Sequence, residues 1–311
     1  MKSIDELPLI GDDETRGVSA SSWAEERQLK VRDLLEAEGA VLIRGLQVPG
    51  SMQFGKILST LFGAELIEYV YRSTPRTGLR GNVYTATEYP AREVIPQHNE
   101  NSYARTWPHR IGFMCLVPPE TGGETPVGDG RLVYTLLPAP VRDKFEEKGV
   151  MYVRNYSTLD LPWPDVFQTE DRARVEAYCE ANGLEYEWLP NDGLRTRQVN
   201  PATVMHPRTG ERVWFNQAHL FHVSSLGAEP MRTLLRSLGE ENLPRNAYYG
   251  DGSPIEPEAL ALIRAAYEQT RFKFTWRRHD LLLLDNVRFT HGREPYTGAR
   301  KVLVGMACPN R

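Results

Sequence analysis

The sequence predicts an α+β chain: a mainly β core flanked by helices and interrupted by a large mixed insertion. Three observations predict it. The chain opens as helix, strand, helix up to residue 63; short apolar runs broken by Pro, Gly and Asn fill 81–129 and return at 271–307; and helical and strand-like patterns alternate from about 136 to 268. The two β regions flank the insertion and are expected to close one sheet structure, so the reading is a single domain over 1–311.

Residues 1–20, rich in Asp, Glu, Ser and Gly, read as an arm laid over the surface or partly disordered. Ser22 stands three before Glu25 as a capping box, and Trp23, Leu29, Leu34 and Leu35 give a helical stripe up to Gly39. Ala40 to Ile43 reads as a strand. A second helix, with Phe54, Ile57, Leu58, Leu61 and Phe62, ends at Gly63. Ile111 to Val117 is a buried strand. Within the insertion, helices fall near 139–148, 170–182, 229–238 and 256–268, with strand-like pieces at 151–153 and 212–215, and part of it is expected to act as a lid. Arg271 to Trp276, Asp280 to Leu284 and Lys301 to Ala307 read as the closing strands.

A formal charge of −4 and a pI near 6.0, with no basic tract, argue against a nucleic-acid partner. No apolar run approaches the roughly 18 residues of a membrane span. Three widely separated cysteines, Cys115, Cys179 and Cys308, and a charged start without an apolar stretch fit reduced thiols and a cytoplasmic address. Oligomeric state is not legible.

Gln97-His98-Asn99-Glu100-Asn101 places an imidazole and a carboxylate two residues apart, and alternate side chains of extended backbone share a face. By itself such a pair is most often a solvated loop. His291, just after the four-leucine strand, supplies another nitrogen donor. Two histidines and one carboxylate leave three octahedral positions open, as Fe(II) needs if it must bind a chelating co-substrate and O2. Pro295 and Gly298 then mark a turn that carries Arg300 back beside His291, where a guanidinium can grip the distal carboxylate of a dicarboxylate. The alternative for Arg300 is a surface residue on an edge strand, and Arg293 is a rival for the same role.

In these motifs the chain resembles the taurine dioxygenase and clavaminate synthase superfamily of Fe(II)- and 2-oxoglutarate-dependent oxygenases, nearest to the amino acid hydroxylases of non-ribosomal peptide pathways. The matching text is His98-Asn99-Glu100, Thr121-Gly122-Gly123-Glu124-Thr125, Asp285-Asn286, His291-Gly292-Arg293 and Arg300-Lys301-Val302. The resemblance implies a double-stranded β-helix (jelly roll), iron on His98, Glu100 and His291, and 2-oxoglutarate held by Thr125 and Arg300. Val304 stands where the taurine enzyme has a second arginine, which argues against a sulfonate substrate, and retention of Glu100 argues against halogenation.

The activity implied is C–H hydroxylation of an amino acid or derivative, free or presented on a peptidyl carrier protein, in secondary metabolite (antibiotic) biosynthesis. The same cofactors can also give desaturation or cyclisation. A non-catalytic metal-binding β-barrel and a zinc hydrolase are the rival classes, the first expected to leave 2-oxoglutarate unconsumed and the second to need a general base. Candidate substrate residues are Asn82, Arg72, Gln97 and Asn216, with Arg76 and Arg80 in the same loop as Arg72. His219 and His222, three apart, are expected to pack rather than ligate.

Overall fold

The four-leucine run organises the molecule because both of its faces are buried. In the computed structural model, which describes residues 7–157 and 159–310, Leu281–Asp285 lies inside a six-stranded sheet. Its order is Leu9–Ile10, Ala40–Ile43, Leu281–Asp285, Pro108–Val117, Lys301–Pro309 and Val83–Thr85. Every pair is antiparallel except the first. Leu281 and Leu283 pack with Trp23, Leu35, Phe54 and Leu58 from the helices Ala20–Glu38 and Ser51–Phe62. Leu282 and Leu284 turn the other way, onto Val127, Phe274 and Phe289 of a second sheet. Full burial of each such side chain contributes roughly 1.5–3 kcal/mol.

That second sheet has four antiparallel strands in the order Arg271–Phe274, Thr125–Asp129, Phe289–Arg293 and Ile95–His98. The β regions on either side of the insertion therefore interleave: Lys301–Pro309 pairs with Pro108–Val117, and Phe289–Arg293 lies between strands from residues 95–129. The layers run helices, six-stranded sheet, four-stranded sheet.

Two expectations at the start of the chain are corrected. Residues 1–6 of the arm lie outside the described residues, but Leu9 and Ile10 pair in parallel with Leu42 and Ile43, and the buried side chains of Leu7 and Ile10 dock this stretch on the sheet. The first long helix begins a turn earlier than the Ser22 cap predicts. Ser19 is its N-cap, accepting the Ser22 N–H at 3.2 Å. Its end at Gly39, with φ of 79°, is as expected.

Between the β regions lies a further antiparallel sheet, ordered Arg245–Tyr249, Val150–Tyr156, Gly193–Asn200 and Glu185–Leu189. It has its own core around Phe145, Trp214, Phe221 and Tyr249. The predicted helices are present as Ala139–Lys148, Arg172–Asn182, Ala228–Leu238 and Pro257–Gln269. Strands 185–189, 193–200 and 245–249 escape the sequence reading, and the second shows why. Its inward positions are Leu194, Thr196, Gln198 and Asn200, so no apolar alternation marks it; Gln198 donates to Asn182 O and Asn200 to Tyr103 O instead. No helix among the described residues is long and apolar enough to cross a membrane.

Candidate metal centre

His98 and His291 meet because their strands are neighbours: the two residues are directly paired in register, with ring centroids 4.6 Å apart. The adjacent Gly292 permits this approach, since a Cβ there would stand 2.5 Å from Ile95 O. The strand ends at His98, and Glu100 follows in a turn with Asn101 in the left-handed region at φ 57°. One donor atom each from His98, Glu100 and His291 lies within 4.8 Å of the others, and no other such group of three or more occurs among the described residues.

Two asparagines hold the turn. Asn99, fully buried, donates to Asn286 O at 2.6 Å. Asn286 Oδ1 accepts the Glu100 N–H at 2.7 Å while its Nδ2 donates to Glu100 O and Pro108 O. Neither Asn99 nor Asn286 was given a role from sequence, although both sit in the motifs that carry the resemblance; short amides flanking a carboxylate are the signal that was there to read.

The protonation states suit a dication. Burial, and then His291, pushes His98 down to about 4, so its ring is neutral. Its Nδ1 lies 2.8 Å from Pro96 O, which fixes the proton there and leaves Nε2 as the donor. Burial alone would raise the Glu100 carboxyl, but Arg76 and the two histidines outweigh it and hold the group ionised, well below the usual carboxylate range. A neutral imidazole and an ionised carboxylate are the forms that ligate. The donor set, two nitrogens and one oxygen on one side, fits Fe(II) and leaves the cavity side open.

The same cavity is lined by Arg76, Thr125, Arg293 and Arg300. The two C-terminal arginines differ in how they are engaged. Arg293 donates to the carbonyls of Tyr89, Pro90 and Glu93 at 2.7–2.8 Å, so both of its terminal nitrogens are committed to the loop over the cavity. Arg300 donates only through Nε, to Gly123 O at 3.1 Å, and no carboxylate among the described residues pairs with it. Burial, and then Arg293, pulls its guanidinium down to about 10, still charged at neutral pH. Gly122 and Gly123 permit this approach: both have φ near 67°, and a Cβ on Gly123 would lie 3.1 Å from Arg300 Nε. Thr125 is buried beside them, its hydroxyl accepting from Trp276 Nε1 at 3.0 Å.

The four substrate candidates are placed differently from expectation. Gln97 points away from His98 across the strand, donating to Tyr267 O and approached by Thr290. Asn82 lies in a separate groove with Arg80 and donates to Leu66 O; its φ of 55° gives it a backbone role. Asn216 is fully buried, bonded to Ala202 O and Ala218 N–H. Arg72 is engaged with Tyr69 O, Arg76 O and Gln168 Oε1. In each case a polar side chain that looked available answers a local backbone or side-chain demand. His219 lies behind His98, its Nε2 3.0 Å from Gln97 O and its ring 4.3 Å from Tyr267. Arg76 is the residue sequence reading undervalued: a loop arginine that is 7% exposed, with Nη2 2.7 Å from Glu100 Oε2.

Comparison with known proteins agrees with this architecture. The chain is 40% identical over 280 residues to the dapdiamide synthesis protein DdaC of Enterobacter agglomerans, covering 90% of this chain and 85% of that one. It is 32% identical over 286 residues to a clavaminate synthase-like protein of Arabidopsis thaliana, covering 88% and 82%. Among solved structures, PvcB of Pseudomonas aeruginosa shares the fold at a TM-score of 0.56 and 16% identity, covering 96% of this chain and 84% of that one. A taurine dioxygenase from Burkholderia xenovorans gives 0.54 at 16%, covering 97% and 86%. The family described as taurine catabolism dioxygenase TauD, TfdA matches residues 3–307, and the chain belongs to this family as an Fe(II)- and 2-oxoglutarate-dependent dioxygenase.

Proposed function

We propose that the chain hydroxylates a C–H bond of an amino acid or amino acid derivative during synthesis of a secondary metabolite. The balanced reaction consumes substrate, O2 and 2-oxoglutarate and yields alcohol, succinate and CO2. The observation that carries this reading is the pairing, in one cavity, of the His98, Glu100 and His291 donor cluster with an arginine whose guanidinium ends are unclaimed by any acid. In this reading the two facing sheets form the double-stranded β-helix, which sets the histidines on neighbouring strands.

His98 through Nε2, His291 and the Glu100 carboxylate would hold the iron. Arg300 pairs with the distal carboxylate of 2-oxoglutarate and Thr125 hydrogen-bonds it. When bound, iron and 2-oxoglutarate together supply the oxidising power that breaks an unactivated C–H bond. The chain fixes the co-substrate at its far end, keeps His98 neutral for ligation and, through Phe113 packed 5.0 Å from His291, gives the metal an apolar wall. Arg293 pins the loop 89–93, and residues 136–268 form an insertion within a single oxygenase domain that covers the substrate side as a lid.

The amino acid class rests on the resemblance to DdaC, a protein named for dapdiamide synthesis. A free amino acid and one carried as a thioester on a peptidyl carrier protein both fit it. Release of succinate should be stimulated by one member of a panel of free amino acids and carrier thioesters, with product mass raised by one oxygen atom. Succinate release that no amino acid or thioester stimulates would refute the substrate class, and a product lighter by two hydrogens would replace hydroxylation by desaturation or cyclisation.

A further inference from the structure

Arg76 stands in a loop, Tyr69 to Arg76, that the rest of the protein grips by its carbonyls. Gln168 donates to Tyr69 O at 2.7 Å, Tyr103 to Tyr71 O at 2.6 Å, Arg154 to Arg72 O at 3.1 Å and Arg245 to Ser73 O at 3.1 Å. Three of those four donors come from the insertion. The loop ends in a guanidinium laid over the Tyr69 ring, 4.7 Å from its centroid, with Nη2 on Glu100 Oε2. Its Nε and Nη1 are buried and have no hydrogen-bond partner among the described residues. A buried cation in an incompletely satisfied setting is costly to maintain, and its one strong contact is the carboxylate that ligates the metal.

The geometry assigns Arg76 as a positioning residue for the metal centre: it holds Oε2 of Glu100, the oxygen that also lies 3.6 Å from His291 Nε2, and so fixes the orientation in which this carboxylate would meet the iron, keeping the remaining positions for 2-oxoglutarate and O2. A glutamate free to rotate can close on the ion with both oxygens and take one of the positions that the chelating co-substrate needs. A charge-assisted hydrogen bond from Arg76 to Oε2 opposes that rotation. The assignment rests on the metal reading above and explains how the insertion, through the loop it grips, sets coordination at a distance.

The test is Arg76→Met, with Arg76→Lys as the variant that keeps charge and one donor. Mn(II) binding to metal-free protein is followed by calorimetry, and anaerobic binding of 2-oxoglutarate to the Fe(II) form by its weak visible charge-transfer band. In Arg76→Met, Mn(II) should bind at least as tightly as in the wild type, while 2-oxoglutarate affinity falls tenfold or more; Lys should recover part of that loss. The thermal shift caused by Mn(II) should also grow, because the metal then relieves a buried carboxylate left without its partner. Equal losses of Mn(II) and 2-oxoglutarate affinity, or an unchanged 2-oxoglutarate affinity in folded Arg76→Met, would overturn the assignment. Wild-type protein that binds no Mn(II) would instead refute the metal reading itself.

Discussion

The metal-bearing sheet and the inserted sheet each have four antiparallel strands, yet they treat polar side chains in opposite ways. In the inserted sheet, amides on both faces close on the protein: Asn155 donates to the carbonyls of Glu241 and Leu243, Gln198 and Asn200 to those of Asn182 and Tyr103. In the metal-bearing sheet, His98 and His291 face a cavity, and Arg300, reaching the same cavity from the six-stranded sheet's last strand end, is held by a single hydrogen bond. Buried polar groups are normally paired, so chemistry is to be sought where a rigid frame leaves some of them open. By that criterion the metal-bearing sheet is the candidate reaction site and the inserted sheet is scaffold.

The largest expected effect breaks the centre outright. His98→Ala or His291→Ala should abolish succinate formation and the charge-transfer band with Fe(II) and 2-oxoglutarate, while leaving the folded state intact, since neither ring carries the packing of a sheet core. Wild-type rates in either variant would move the metal elsewhere and remove the contrast between the sheets.

The candidate cluster was legible in sequence because its constraint is local on each side: His98 and Glu100 stand two residues apart, and His291 follows, in the next strand, a run of four leucines that cannot be mistaken. The framing helices were legible from their stripes and from Gly39 and Gly63, both in the left-handed region where glycine is favoured. What failed was the assignment of polar residues to open or closed environments. Arg72, Arg76, Gln97, Asn82 and Asn216 read alike as available to a substrate, because a sequence shows that a side chain can donate but not which group, up to 170 residues away, will accept. Gln97 shows it most plainly: His98 and Gln97 are neighbours in sequence and lie on opposite faces of one strand, one at the cavity and the other bonded to Tyr267 O. The polar strand 193–200 was lost for the same reason.

The second effect sharpens the contrast between Arg293 and Arg300. Loss of a charge-assisted, two-point contact to a carboxylate costs about 2–4 kcal/mol, or roughly 30- to 1000-fold in affinity. Arg300→Ala should therefore raise the KM for 2-oxoglutarate by that order with little change in stability. Arg293→Ala should do the reverse. It leaves the carbonyls of Tyr89, Pro90 and Glu93 without their donor, so steady-state traces should show a KM changed less than tenfold, alongside earlier proteolysis of the loop 89–93. Interchanged phenotypes would give the co-substrate role to Arg293.

The smallest effect probes the inserted sheet's side of the comparison. Asn216 sits in an aromatic, polar stretch that reads from sequence as pocket lining, but its amide bridges Ala202 O and Ala218 N–H within fully buried surroundings. Asn216→Ala leaves one buried acceptor and one buried donor unsatisfied, which costs about 1–3 kcal/mol, seen as a lowered denaturant midpoint. Turnover per folded molecule and the KM values for 2-oxoglutarate and substrate should stay within about twofold, a difference too small to represent a lost hydrogen bond of about 1 kcal/mol to substrate. A large rise in substrate KM at unchanged stability would mean that this amide turns toward the ligand, and that the inserted sheet takes part in recognition as well as in support.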